Sequence, residues 1–223
     1  MSRAIIVLGH GSRHPLAEHT VARIAAAVDG EYAMLDFSAH TLTNAAMLLA
    51  ARGIRQAAVV PLLFTDAYHL NHDVPEAAAE AQEASGVQLQ VTAGLGTGAD
   101  MERLLGQVIG DLQDARPQRF TNIALYAVGS STPGANDSVW DLAARVGARA
   151  VFATGAPPKG VAALEGFDAV IPLFVAEGVL WDSVVREGLP AVLGEPLGER
   201  VAEIVRQRAE QPGPVAVGRE HVA

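Results

Sequence analysis

The sequence contains no cysteine. That absence removes disulfide scaffolds, thiolate zinc sites, iron–sulfur clusters and cysteine nucleophiles together, and leaves His, Asp and Glu as the strong metal ligands. No apolar run approaches the ~20 residues that a membrane-spanning helix needs. The N-terminal run Ala4-Ile5-Ile6-Val7-Leu8 is too short and too lightly flanked for a signal peptide, so a cytoplasmic protein is expected. Positive charge is scarce: 16 Lys and Arg stand against 25 Asp and Glu, for a net charge of -9. This disfavours unspecific attraction to nucleic acid or an anionic bilayer, and neither is expected as a partner. An anionic ligand must then be held by local groups. Charged residues make up 18% of the 223 positions and hydrophobic ones 50%, which excludes a disordered chain. The length suits one large domain or two small ones, each with a core.

The apolar run Ala4 to Leu8 ends in Gly9-His10-Gly11-Ser12, and apolar residues then recur with helical spacing at Val21, Ile24, Ala25 and Val28. This reads as strand, glycine loop, helix. A strand at 31–37 leads into a helix rich in Ala, Leu and Met at 42–51. The next strand, 57–64, is continuously apolar, as expected where both faces of a parallel sheet are covered. Pro75 opens a helix to Ala84, and a strand at 89–93 precedes a helix at 101–112. Alternation of this kind predicts an α/β domain with a mostly parallel sheet. The polar stretch 113–119 reads as a linker. Beyond it the order returns, with a strand at 123–128, the loop Gly129-Ser130-Ser131 and a helix at 137–146. Val60-Pro61-Leu62-Leu63-Phe64 is echoed by Ile171-Pro172-Leu173-Phe174-Val175, and Leu95-Gly96 by Leu197-Gly198. Self-similarity at half the chain length predicts a duplication. We therefore expect two similar lobes facing each other across a cleft, an N-terminal one at 1–115 and a degenerate repeat at 120–210, followed by a flexible tail at 211–223.

The echoes place Val128 opposite His10 and Leu180 opposite His69, so only the first copy carries both histidines. That copy is also the acidic one, with six Arg and no Lys against thirteen acids in residues 1–115. Residues just beyond the carboxyl ends of parallel strands point into the ligand crevice, which suits His10 after the first strand and His69 shortly after the third. Two neutral imidazoles hold a first-row divalent metal without saturating it. Gly9 and Gly11 clear side chains from around His10, and Ser12 with Arg13 suits an anionic group near a helix N-terminus.

Ile5 to Arg13, Val60 to Phe64, His69 with Asp73-Val74-Pro75, and Ala93-Gly94-Leu95-Gly96 together resemble the class II tetrapyrrole chelatases. Within these the chain is similar to the two-lobed, single-chain sirohydrochlorin chelatases that insert cobalt or iron. The resemblance implies that His10 and His69 bind the incoming metal, Co2+ or Fe2+ with Ni2+ also compatible with imidazole, and that the second lobe shapes the cleft. It implies a sirohydrochlorin-type tetrapyrrole as substrate, a divalent metal as co-substrate and no organic cofactor. The acidic residue late in the second strand, commonly Glu in that family, is Asp36 here, and His40 follows where Pro is common, so no role for Asp36 carries over. Backbone amides of the glycine loops, Arg13, Ser12, Ser130 and Ser131 are the expected partners of the substrate carboxylates. A two-lobed chain can act as a complete monomer.

Two other classes fit parts of the sequence. His10-Gly11-Ser12-Arg13-His14-Pro15 matches the H-G-x-R-x-P core of histidine acid phosphatases, with His72-Asp73 as a distal acid pair, but Gly9 stands where that signature has Arg. A noncatalytic metal or tetrapyrrole carrier would use the same histidine pair without turnover. His14 and His19 read as solvated surface residues, His72 as a surface residue, and Trp140 and Trp181 as core or cleft wall.

Overall fold

The computed structural model describes residues 3–65 and 73–211. Among these, eight strands form two separate four-stranded sheets, all of whose pairings are parallel. The first sheet contains β1 (Ala4–Gly9), β2 (Glu31–Met34), β3 (Gln56–Pro61) and β4 (Gln88–Val91) in the order β2-β1-β3-β4. The second repeats that order with β5 (Ile123–Ala127), β6 (Arg149–Phe152), β7 (Ala169–Pro172) and β8 (Val192–Leu193), as β6-β5-β7-β8. The helices are α1 (Pro15–Ala27), α2 (Leu42–Ala51), α3 (Asp73–Ser85), α4 (Ala99–Asp114), α5 (Asp137–Arg145), α6 (Val179–Glu187) and α7 (Ala202–Glu210), with short 3-10 turns at Val161–Leu164 and Gly198–Val201.

The central strands are apolar on both faces because both faces are covered. Val7, Ala58 and Val60 of the first sheet and Leu125, Ala127 and Ile171 of the second face one shared core. Val21 and Ile24 of α1, Met101 and Leu105 of α4, Leu142 of α5 and Val205 of α7 fill it. Ile6, Leu8, Ala57 and Val59 turn the other way, onto α2 and α3. Ala124, Tyr126 and Val170 turn onto Trp181 and Val184 of α6. Among the described residues the layers are thus two helices, sheet, four helices, sheet and one helix. The lobes share a core, and α7, late in the chain, reaches β3 and α1 of the first lobe.

Registers make the duplication explicit. Leu8 pairs with Pro61 and Tyr126 with Pro172, which sets His10 and Val128 at equivalent positions, one residue beyond Gly9 and Ala127. Four strands are shorter than expected: β4 ends at Val91 and β5 at Ala127, and β2 and β3 fall short by more. β2 stops at Met34 because Leu35, Asp36 and Phe37 leave the sheet, Phe37 with φ +58°. β3 stops at Pro61, one residue before the chain bonds across from Leu62 N–H to the Leu8 carbonyl. Helix α4 runs to Asp114, into the stretch expected as linker.

Candidate active site

In each sheet the chain moves from its first strand to one side and later to the other, so the crevice at the topological switch lies beyond the carboxyl ends of the two central strands. In the first lobe these are β1 and β3. His10 follows β1 directly and is exposed, as expected of a residue beyond a strand end. His69 and His72 lie outside the described residues, as does 212–223 of the expected tail. The equivalent of His10 in the second lobe is Val128, 49% exposed.

The His10 loop is tied to the segment after β2. Leu35 N–H donates to the Gly9 carbonyl and Asp36 N–H to the His10 carbonyl, each at 3.0 Å, and the Asp36 carboxylate lies 3.8 Å from His10 Nδ1. A Cβ on Gly11, where φ is +120°, would stand 2.5 Å from the Asp36 carbonyl oxygen. A Cβ on Gly9 would stand 2.8 Å from Met34 Sδ. The protein itself therefore occupies the space that both glycines leave, and their absent side chains let this loop close onto β2. The second lobe repeats the device: Thr154 N–H donates to the Val128 carbonyl at 2.9 Å, Gly129 has φ +82° and packs on Thr154 and Phe152, and Thr154 stands where Asp36 does.

Ser12 Oγ accepts from His14 N–H at 3.0 Å, and Ser130 Oγ accepts from Thr132 N–H at 3.1 Å; each hydroxyl keeps its own hydrogen to donate. Asn136 locks the second loop by accepting from Ser130 N–H and donating to its carbonyl. Ser131 is exposed. Arg13 places its guanidinium 4.9 Å from the centroid of the Phe37 ring.

His14 corrects the expectation of a solvated residue. Its Nδ1 caps α1 by accepting from Leu16 N–H at 3.3 Å, and its Nε2 lies 3.3 Å from Asp182 of α6. With Thr20 donating to Glu177 at 3.2 Å, this contact fastens the lobes beside the His10 loop. Trp181 is core, whereas Trp140 is partly exposed and meets Phe152 edge-on. Sequence reasoning missed Phe37 and the His14–Asp182 contact. An aromatic residue just after a strand's last alternating position was the available signal for Phe37; the cross-lobe contact had none.

Beside the loop, Tyr32 donates to Glu18 at 3.1 Å, and burial with the Glu18 carboxylate pushes its hydroxyl up from the ordinary tyrosine range. A cavity of about 560 Å3 opens between the lobes near Gly94, Gly96, Asp100, Arg103, Gln207 and Arg208. His10, beyond the end of β1, does not line it. Among the described residues no three His, Asp or Glu side chains converge as a metal site, and no helix is long and apolar enough to cross a membrane.

Residues 4–112 match the CbiX family model. A sirohydrochlorin cobaltochelatase of Sulfurisphaera tokodaii is 28% identical over 82 residues, covering 37% of this chain and 66% of that relative; the chain spans just under two thirds of its length. The solved structure of SirB from Bacillus subtilis with Fe3+ matches at TM-score 0.76 and 22% identity, over 93% of this chain and 94% of that one. The structure of CbiX described as the terminal enzyme for siroheme biosynthesis in denitrifying bacteria matches at TM-score 0.70 and 18% identity, over 92% and 97%. At these identities the two structures establish a shared fold.

Proposed function

We propose that this protein is a sirohydrochlorin chelatase, inserting Co2+ or Fe2+ into the metal-free macrocycle; residues 4–112 match the CbiX family model and the chain shares the fold of the solved chelatase structures. The observation that carries the reading is the asymmetry at the two switch points, with a histidine at position 10 and a valine at the equivalent position 128. The Sulfurisphaera relative is named for cobalt and the SirB structure holds iron; both ions accept imidazole, with cellular supply deciding between them.

Insertion takes M2+ and a macrocycle carrying two pyrrole N–H groups to the metal complex and two protons. In the proposal His10 and His69, as neutral imidazoles, hold the metal as substrate on one side of the ring; as the metal passes to the pyrrole nitrogens, each imidazole it leaves is free to accept one of the two pyrrole protons and release it to water. The placement of β3 beside β1 supports a shared site, since the carboxyl ends of both strands open on one crevice. The Asp36 carboxylate lies 3.8 Å from His10 Nδ1, beyond hydrogen-bond distance, and adds negative charge beside the proposed metal ligand. Arg13 and the hydroxyls of Ser12, Ser130 and Ser131 take substrate carboxylates. Gly9 and Gly11 contribute through the shape of the loop that presents His10 and its amides. Residues 1–115 form the metal-handling lobe and 120–210 the wall opposite. The protein works as a cytoplasmic monomer with no organic cofactor.

The test is anaerobic absorbance of sirohydrochlorin with each metal in turn. Multiple turnovers above the uncatalysed rate support the proposal, and a single stoichiometric binding event without turnover indicates a carrier. Release of phosphate from a generic monoester, unaffected by chelator, would point to the phosphatase class, which the comparisons do not favour.

A further inference from the structure

We propose that Phe37, backed by Arg13, is a stacking surface on which one face of the tetrapyrrole rests, so that the ring carries the macrocycle and the guanidinium meets a peripheral carboxylate. The inference deepens the chelatase reading and rests on it. Phe37 is 63% exposed, and its φ of +58° lies in the left-handed region that bulky side chains rarely adopt. Such a conformation persists only where the surroundings impose it, and here they do so from both sides. Upstream, Asp36 N–H is bonded to the His10 carbonyl at 3.0 Å. Downstream, the His40 carbonyl accepts from Met34 N–H at 2.8 Å, His40 N–H donates to Ser38 Oγ at 2.9 Å, and Asn44 Nδ2 donates to the Ala39 carbonyl at 2.7 Å. The His40 ring rests on Tyr32, centroids 4.7 Å apart. A loop fastened this closely, yet ending in an outward phenyl ring, is pre-organised to meet a ligand.

Arg13 covers one face of that ring at 4.9 Å, and a guanidinium offers a planar fork that takes a carboxylate in bidentate fashion. The exposed ring and the cation together suit a flat π system with acidic substituents, and they supply local positive charge in a chain of net charge -9. Phe37 adjoins Asp36, whose carboxylate approaches His10, so a macrocycle resting on Phe37 is brought beside the metal-site histidine.

The experiment is fluorescence titration of sirohydrochlorin, without metal, into the wild-type protein and its Phe37→Gly and Phe37→Tyr variants, with thermal melts of each. Glycine accepts φ +58° freely, so Phe37→Gly is expected to melt no lower than wild type while its Kd for the macrocycle rises about tenfold, the scale of one aromatic contact. Phe37→Tyr, which keeps the ring, should bind within about twofold of wild type, by the same reasoning. Unchanged binding by Phe37→Gly overturns the inference, as does weakened binding only in variants that also melt early. If the wild type itself binds no sirohydrochlorin, the chelatase reading fails first.

Discussion

Replacing Gly11 by alanine, with Gly129→Ala as its matched control, exploits the duplication. At Gly11, φ is +120° and the new Cβ would stand 2.5 Å from the Asp36 carbonyl oxygen, about an ångström inside ordinary contact, so the two loops must part. The strained backbone costs about 1–3 kcal/mol. Losing the Asp36 N–H bond to the His10 carbonyl adds about 1 kcal/mol. The total is about 2–4 kcal/mol, or roughly 5–15 °C in Tm for a chain of this size. Gly129, with φ +82° and Thr154 and Phe152 in the path of its Cβ, should cost about as much by the same terms. Function separates the pair. Parting the loops at Gly11 moves His10 relative to Asp36, and misplacement on this scale costs about a hundredfold in rate, whereas the equivalent movement at Gly129 shifts Val128. The assay is metal insertion below both melting transitions, with the folded fraction matched by circular dichroism. Equal loss of activity in the two variants, or a Gly11→Ala protein as stable as wild type, would refute the reasoning.

Three further outcomes follow from contacts outside the loop. Arg208, part-buried 2.6 Å from Asp100 and donating to the Gly94 and Leu95 carbonyls, clamps the first lobe from α7, so Arg208→Ala should lower stability by about 2–3 kcal/mol in urea unfolding; a loss within 1 kcal/mol contradicts the clamp. Asp168 is held below the usual carboxylate range by the Thr121 backbone N–H, then the Thr121 hydroxyl and the Asn122 N–H. A depressed pKa gives stability that is present above the ordinary value of 3.8 and is lost as pH falls through the folded value; the Tm deficit of Asp168→Ala at neutral pH should therefore shrink below about pH 3.8, and a constant deficit counts against this. His14→Ala should cost about 1 kcal/mol through the lost helix cap while retaining far more insertion activity than His10→Ala; equal loss of activity would give His14 a direct part in the chemistry.

The layered α/β fold was legible because β1, β3, β5 and β7 are short apolar runs separated by helical spacing, and the echo of Pro61 in Pro172 survives as a shared register position. The shared core was not, because a run that is apolar on both faces does not say which helix covers which face. Only folding shows that Val7 looks toward α1 and α7 while Ile6 looks toward α2. The place of His10 at the carboxyl end of β1 was legible from an apolar run that ends in a histidine between two glycines. The reason for the glycines was not, since their missing side chains make room for Asp36 and Met34, residues more than twenty positions away. His14 read as a surface residue for a similar cause: its partner Asp182 lies on the other lobe.

The most direct test of the account is the initial rate of anaerobic metal insertion into sirohydrochlorin by wild type, His10→Ala, His69→Ala and Val128→Ala under identical metal and substrate. The account predicts a loss of at least about a hundredfold in each histidine variant, the scale of removing a positioned ligand or base, and a Val128→Ala rate within about threefold of wild type, as for a contact outside the chemistry. Near-normal insertion by either histidine variant, or a selective collapse in Val128→Ala, would contradict it.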